Sequence, residues 1–367
     1  MYFCKDICSL FPIETRAVGA YNNVVRRREF ILYAVGALGV SSRELKADHH
    51  VVCADPLVVA FDLGSLEGRY TRVEDFYVRN HYEAPAMAGP CSLRIEGEVE
   101  LPQDLTLGDL RRLTEHKIGA LLECAGDPVR AISLVSDGVW QGWPLSDIIA
   151  LTRPRDSGAY LQCFGRDGFA RSLPLHDALN GGLLVTALNG RPLTRNHGAP
   201  WRVLFPGWYG MNSVKWVERI VVAQAPLPPI DNTYLELWRG PGGSIEKRPL
   251  PRIQVKSIIT DPQNNSVLHR GRALVRGLAW SGEGAISKVE VSADAGTSWI
   301  QAMLDRSGSH YDWTLWRATV ELNRAGVVEM TCRAVDEKGH TQPARRDSQR
   351  IDLYAYNVYD RVRCVVV

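Results

Sequence analysis

The sequence predicts a mixed α+β unit followed by an all-β sandwich, on three observations. Between residues 91 and 223 short strand patterns alternate with short helix patterns, whereas from residue 253 onward only strand patterns remain, and a proline- and glycine-rich stretch separates the two regions. The chain's 367 residues, 45% apolar and 23% charged, are enough to bury two cores. Domain limits follow at residues 1–47, 48–248 and 249–367.

The first of these segments carries Arg26-Arg27-Arg28-Glu29-Phe30-Ile31 ahead of an apolar run from Leu32 to Val40. A basic region before an apolar stretch too short to span a bilayer reads as an export signal, here of the twin-arginine type. A periplasmic protein with no transmembrane segment in its mature form is therefore expected.

In the second segment Cys91 to Val99 alternates, with Leu93, Ile95 and Val99 on one face, and Thr106 is a natural N-cap for a helix carrying Leu107, Leu110 and Leu113. Ile118 to Leu122 is an apolar strand that opens at Glu123-Cys124-Ala125-Gly126-Asp127-Pro128, where glycine, aspartate and proline favour a turn. Ser146 begins a short helix. Ala159 to Phe164, Phe169 to Leu173, Pro200 to Phe205 and Val214 to Ala223 read as further strands. The proline-rich residues 225–229, Gly240-Pro241-Gly242-Gly243 and Pro249-Leu250-Pro251 form a connection. Beyond it Val255 to Ile259, Ala273 to Trp280, Ile286 to Ser292, Trp313 to Glu321 and Val327 to Ala334 are strand-like. Such short, evenly spaced strands around a buried-type Trp280 predict an immunoglobulin-like sandwich.

A formal charge of +2 offers no basic face for nucleic acid, so any anion site must be local. The eight cysteines show neither zinc spacings nor a disulfide framework. Cys124 differs from the others in standing where a strand opens into a loop, which fixes a ligand's backbone and leaves room beside it. Two other segments gather groups that a packed core does not ordinarily hold. One is Phe76-Tyr77-Val78-Arg79-Asn80-His81; the other runs from Arg195-Asn196-His197 through Arg202 to Ser213-Val214-Lys215-Trp216.

In this order the three segments resemble the molybdopterin-binding signatures of the sulfite oxidase family, and the sandwich takes the place of that family's dimerisation domain. The resemblance covers roughly residues 70 to 367. It implies a molybdenum cofactor held through Cys124, the protein's metal ligand, with no haem or flavin in the chain. A metal that passes an oxygen atom wants soft sulfur donors, and a pterin with a phosphate wants cations, an imidazole and close backbone approach. Tyr77, Arg79, Asn80, His81, Asp167, His197, Arg202, Ser213, Val214 and Lys215 would line the cofactor, with Gly207 and Gly210 letting the chain pass tightly. Arg79, Tyr234 and Arg361 would face the substrate with Cys124. Asp167 also sits in Gly165-Arg166-Asp167-Gly168, a good hairpin turn.

The expected activity is oxygen transfer to a small anionic or oxo substrate, sulfite to sulfate foremost, with electrons passed to an external carrier such as a cytochrome c. A homodimer through the second domain is expected. There is one departure: the family arginine five residues after the ligand cysteine is Val129 here, with Arg130 one later, and Asp127 adds a negative charge. Both make the anion pocket less cationic, and the displaced arginine favours the alternative, a reductase of a sulfoxide, nitrate or similar oxo-compound.

Overall fold

The structure is a computed structural model that describes residues 49–86, 91–127, 133–230, 233–305 and 308–367. The segment read as an export signal and the pair Val129/Arg130 lie outside those residues. Among them, no helix is long and apolar enough to cross a membrane.

The first unit is built on three sheets. Gln103–Thr106, Ser92–Gly97, Val217–Ala223, Tyr160–Gly165 and Ala170–Pro174 lie side by side in that order, with Val217–Ala223 parallel to Ser92–Gly97. Their apolar residues alternate inward: Leu93, Ile95, Leu161, Cys163 and Ile220 share one core with the helices Leu107–Leu110 and Leu145–Ala150. Thr106 caps its helix as expected, in a reciprocal pair with Asp109. A second sheet runs Arg191–Pro192, Leu183–Leu188, Val135–Pro144, His116–Glu123, with Arg202–Leu204 also paired to Leu183–Leu188. The third joins His49–Ala54, Leu57–Phe61 and Val78–Arg79, and its core with the second includes Phe76, Tyr77 and Trp140.

The second unit packs two sheets face to face. One holds Lys256–Asp261, Gly271–Trp280, Thr314–Leu322 and Met303–Asp305; the other holds Val267–Leu268, Asp360–Val366, Gly326–Asp336, Ile286–Ser292 and Ile300–Gln301. Val275, Val289, Trp316, Met330 and Val362 fill the space between them. Trp280, the tryptophan that suggested a sandwich core, is fully buried elsewhere, in the cluster that joins the units. The stretch between the units also forms an antiparallel hairpin, Leu235–Arg239 with Ile245–Pro249. Its strands carry two glutamates, two arginines and a lysine, with little apolar alternation, so the sequence reads as a plain connector.

The two units are locked together. Phe61, Leu121, Ala125 and Tyr209 of the first form one buried cluster with Ile258, Leu278, Trp280 and Trp313 of the second. Inside this junction Lys256, only 2% exposed, donates to Glu123 Oε1 and to Asp127 Oδ2, both at 2.8 Å. Glu123 Oε2 accepts from Trp280 Nε1 at 2.9 Å, and Asp127 Oδ1 from the Leu134 amide at 2.7 Å. The Asp127 charge is thus spent on Lys256, which corrects the expectation that it weakens the anion pocket.

Removing one partner of a buried ion cluster leaves the rest unpaired and costs about 3–5 kcal/mol. Lys256→Met should therefore lower the unfolding free energy by about that amount, read by denaturant titration. In that variant Glu123 and Asp127 lose the cation that opposes burial. Burial already raises the Glu123 pKa in the intact cluster, and loss of Lys256 raises it further. Acids whose folded pKa exceeds the unfolded one stabilise the fold below the unfolded value and lose that contribution as pH rises through the folded value. The deficit of Lys256→Met should shrink toward pH 4 and widen toward neutrality; a pH-independent deficit would contradict the assignment.

Candidate active site

Where the second and third sheets meet, a cleft of about 670 Å³ opens over Cys124. It is lined by Tyr77, Arg79 and His81 from the segment ending the third sheet, and by Cys124 at the end of the His116–Glu123 strand. Asp167 comes from a hairpin turn, and His197, Arg202, Ser213, Val214 and Lys215 come from the turns and strand that follow. Tyr234 closes one side. Gly210, expected there, lines it too, as do Phe76 and Asn196 of the quoted segments and Leu122, Phe169 and Met211, which had not been singled out from the sequence. Apolar wall residues look like ordinary core residues, so sequence gives no signal for them.

Cys124 is fixed through its backbone. Its amide donates to the Leu134 carbonyl and its carbonyl accepts from the Asp127 amide, both at 2.9 Å, while Ala125 accepts from the Ala355 amide at 2.7 Å. Gly210 passes close by: a Cβ there would lie 2.5 Å from the Tyr77 hydroxyl, so any side chain would push into the cleft. Gly207, expected beside the cofactor, adopts φ +78 at the junction, where a Cβ would meet the Gly282 carbonyl at 2.5 Å.

Three cations point at the cleft, and each is held from behind. Arg202 donates to the carbonyls of Ser213 (2.6 Å) and His197 (3.3 Å) and lies over the Trp140 ring. Lys215 Nζ donates to the Asn196 carbonyl at 3.0 Å and to Asn80 Oδ1, so Asn80 stands behind the wall and aims the ammonium. Arg79 donates to the Asn80 carbonyl at 2.5 Å. Burial pulls the Arg202 guanidinium down to about 10, and burial together with neighbouring Arg202 pulls Lys215 well below its ordinary range. The nearby Asp167 carboxyl is itself pushed up by burial.

His197 is spoken for at both ring nitrogens. Nε2 lies 3.2 Å from the Phe76 carbonyl, which can only accept, so Nε2 carries the proton and Nδ1 accepts from the Thr194 hydroxyl at 2.7 Å. Burial holds its pKa at about 4, so it is neutral and offers the cleft a ring wall. His81 Nδ1 faces the Tyr234 hydroxyl at 3.0 Å. Burial raises the Tyr234 pKa, so the phenol keeps its proton. Ser213 Oγ accepts from the Phe205 amide at 3.0 Å and retains its own proton for the cleft.

Arg361 is not part of this site. Along Asp360–Val366 the odd-numbered residues face solvent, and Arg361 donates to Glu329 at 2.9 Å on the sandwich surface. A Tyr-Asp-Arg-Val string gave the residue type but not the strand face.

A molybdopterin cofactor fits these residues. Asn80 Nδ2 and Arg202 Nε are buried donors with no acceptor among the described residues, a costly state that a ligand acceptor relieves. The cations outnumber the lone carboxylate, as a phosphate-bearing ligand requires. Among the described residues no three His, Cys, Asp or Glu side chains gather to cage a bare ion, so a metal here would bring ligands of its own and take one sulfur from Cys124.

Two family models match in sequence: the oxidoreductase molybdopterin binding domain over residues 81–229 and the Mo-co oxidoreductase dimerisation domain over residues 247–366. The chain is 32% identical over 313 residues to the sulfite oxidase of Gallus gallus, covering 74% of this chain and 67% of that one. It is 32% identical over 322 residues to the mitochondrial sulfite oxidase of Drosophila melanogaster, covering 75% of this chain but only 56% of the relative, so it spans little more than half of that protein. Among solved structures, the sulfane dehydrogenase SoxCD from Paracoccus pantotrophus shares the fold at a TM-score of 0.77 and 23% identity, covering 97% of this chain and 95% of that one. Identity at this level across two thirds of the chicken protein, with both domain models matched in order, makes this chain a member of the sulfite oxidase family of molybdopterin-dependent oxidoreductases.

Proposed function

We propose that the protein oxidises a small sulfur oxyanion, sulfite to sulfate foremost, and passes the two electrons to an external acceptor such as a cytochrome c. The observation that carries this reading is the pairing of Arg79 and the Tyr234–His81 couple with Cys124 in one cation-rich cleft. Cys124 would hold the metal, and Arg202, Lys215, Asn80, Asp167, Ser213, Val214, Tyr77 and His197 would hold the pterin. When bound, the cofactor supplies the two-electron oxygen exchange that no side chain here can perform.

Arg79 would pair with the oxyanion and set its approach. Oxidation consumes one water and releases two protons and two electrons. The Tyr234 hydroxyl, protonated and 3.0 Å from His81 Nδ1, donates to the substrate side of the cleft, and His81 takes up a released proton. The hydrophobic wall of Phe76, Leu122 and Phe169 limits water beside the reacting atoms.

The twin-arginine motif at Arg26-Arg27 supports export of the folded, loaded protein. The two packed sheets, read as an immunoglobulin-like sandwich, support a homodimer. Val267 and Val327 both pair with Val365 across neighbouring strands and are 64%, 76% and 40% exposed, an apolar patch suited to a second copy.

Molybdenum-loaded protein should reduce ferricyanide or cytochrome c only when sulfite is added. Turnover of nitrate or a sulfoxide by reduced enzyme, with none on sulfite, would reverse the assigned direction. Cys124→Ser should retain its circular dichroism spectrum and lose turnover by at least about a thousandfold, as expected for loss of a group the chemistry requires. Val327→Glu should convert dimer to monomer in sedimentation equilibrium while the monomer's melting curve stays cooperative; an unchanged dimer mass would place the interface elsewhere.

A further inference from the structure

One cation near the cleft is left without a role. Arg171 lies on the Ala170–Pro174 strand, where side chains alternate, so residues 169, 171 and 173 share a face. Phe169 is 8% exposed and lines the cleft, and Leu173 is 5% exposed. Arg171 therefore faces inward between two buried apolar residues. Its Nε reaches Asn212 Oδ1 only at 3.4 Å, and its guanidinium carbon stands 5.4 Å from the centre of the Tyr234 ring. Among the described residues no carboxylate pairs with it. By contrast Arg346 and Arg350, which serve structure, both bond Asp352. Burial lowers the Arg171 pKa, the sign of a charge held at a cost. Among the described residues its two terminal nitrogens have no acceptor, and the residue is only partly buried.

We propose that Arg171 is the rim cation that receives the substrate oxyanion at the Tyr234 side of the cleft and sets the enzyme's preference for anions. Two free, coplanar N–H groups suit two oxygens of one tetrahedral or pyramidal oxyanion, and partial burial strengthens that pairing relative to a fully wet site. The Tyr234 ring then has a cation over its face and its hydroxyl at His81, so an anion drawn to Arg171 lies against a ring that lines the same cleft as Arg79 and Cys124. This rests on the sulfur-oxyanion reading of the same cleft.

The test compares wild-type holoenzyme with Arg171→Gln and Arg171→Lys in sulfite kinetics, and by calorimetric titration with inorganic sulfate. Loss of one charge-assisted pair predicts that Arg171→Gln raises the sulfite KM and weakens sulfate binding roughly tenfold, with kcat falling less than about threefold. The dependence of kcat/KM on ionic strength should flatten, and Arg171→Lys should recover part of the affinity. If Arg171 merely braces Tyr234, kcat falls while sulfate affinity holds, and the proposal is overturned. Should Arg171→Gln fail to fold, Arg171→Lys decides: unchanged sulfate affinity refutes the fork, and a severalfold loss supports it. Sulfite turnover with an Arg171-independent KM and sulfate affinity sinks the proposal and leaves the function intact. Arg171-dependent sulfate binding without sulfur oxidation sustains the anion site and sinks the function.

Discussion

The contact on which the rest of the structure depends is the buried ammonium of Lys256 between Glu123 and Asp127. These carboxylates bracket Cys124 in sequence, and the lysine comes from the first strand of the other unit. Three charges so far from water persist only if each is satisfied, and here every carboxylate oxygen has a donor: Lys256 twice, the Trp280 indole and the Leu134 amide. Burial alone would lower the Lys256 pKa, but Asp127 and Glu123 raise it, so the ammonium stays charged. The geometry of the cysteine loop is therefore inseparable from the docking of the second unit. A sandwich that would suggest mere association by itself is part of the catalytic scaffold.

The same loop divides two opposite fields. On its junction side lie two carboxylates against one lysine; on its cleft side lie Arg79, Arg202 and Lys215 against one aspartate. Cys124 sits at the boundary. Burial lowers the pKa values of Arg202 and Lys215, so gathering these two cations here is unfavourable unless an anion offsets it. Orphaned donors at Asn80 and Arg202 express the same incompleteness in hydrogen bonds. Binding energy for an anionic ligand is in this way stored before the ligand comes.

Much of this was legible in the sequence where chemistry and local pattern coincide. The Thr106 cap, the strand ending at Cys124, the strands on either side of Asp167 and five strands of the sandwich follow from alternation and turn residues alone. Ten residues expected around the cofactor, together with Tyr234, line the cleft or, for Asn80, stand directly behind it. What sequence could not reach depends on long-range placement. Asp127 reads as an extra negative charge until Lys256, 129 positions away, is seen to neutralise it. Arg361 has the right charge but the wrong strand parity. Arg171 left a faint signal, an arginine at the inward position of an alternating strand, which carries meaning only once Tyr234 is known to lie against it.

Trp216, Tyr234 and Ala355 adopt φ of 50, 58 and 50, a region that costs a residue with a side chain of order 1–3 kcal/mol and survives only where neighbours over-determine it. All three border the site, and each is pinned: Trp216 Nε1 donates to the Arg195 carbonyl at 2.8 Å, Tyr234 meets His81, and the Ala355 amide grips Ala125 at 2.7 Å. Ala355 belongs to the segment between two strands of the second unit, so its strain is held by the very docking that Lys256 secures. Strain that depends on docking can hold Cys124 and Tyr234 in place only while the units stay joined. The junction, more than any single loop, is what keeps the cleft in the shape its chemistry requires.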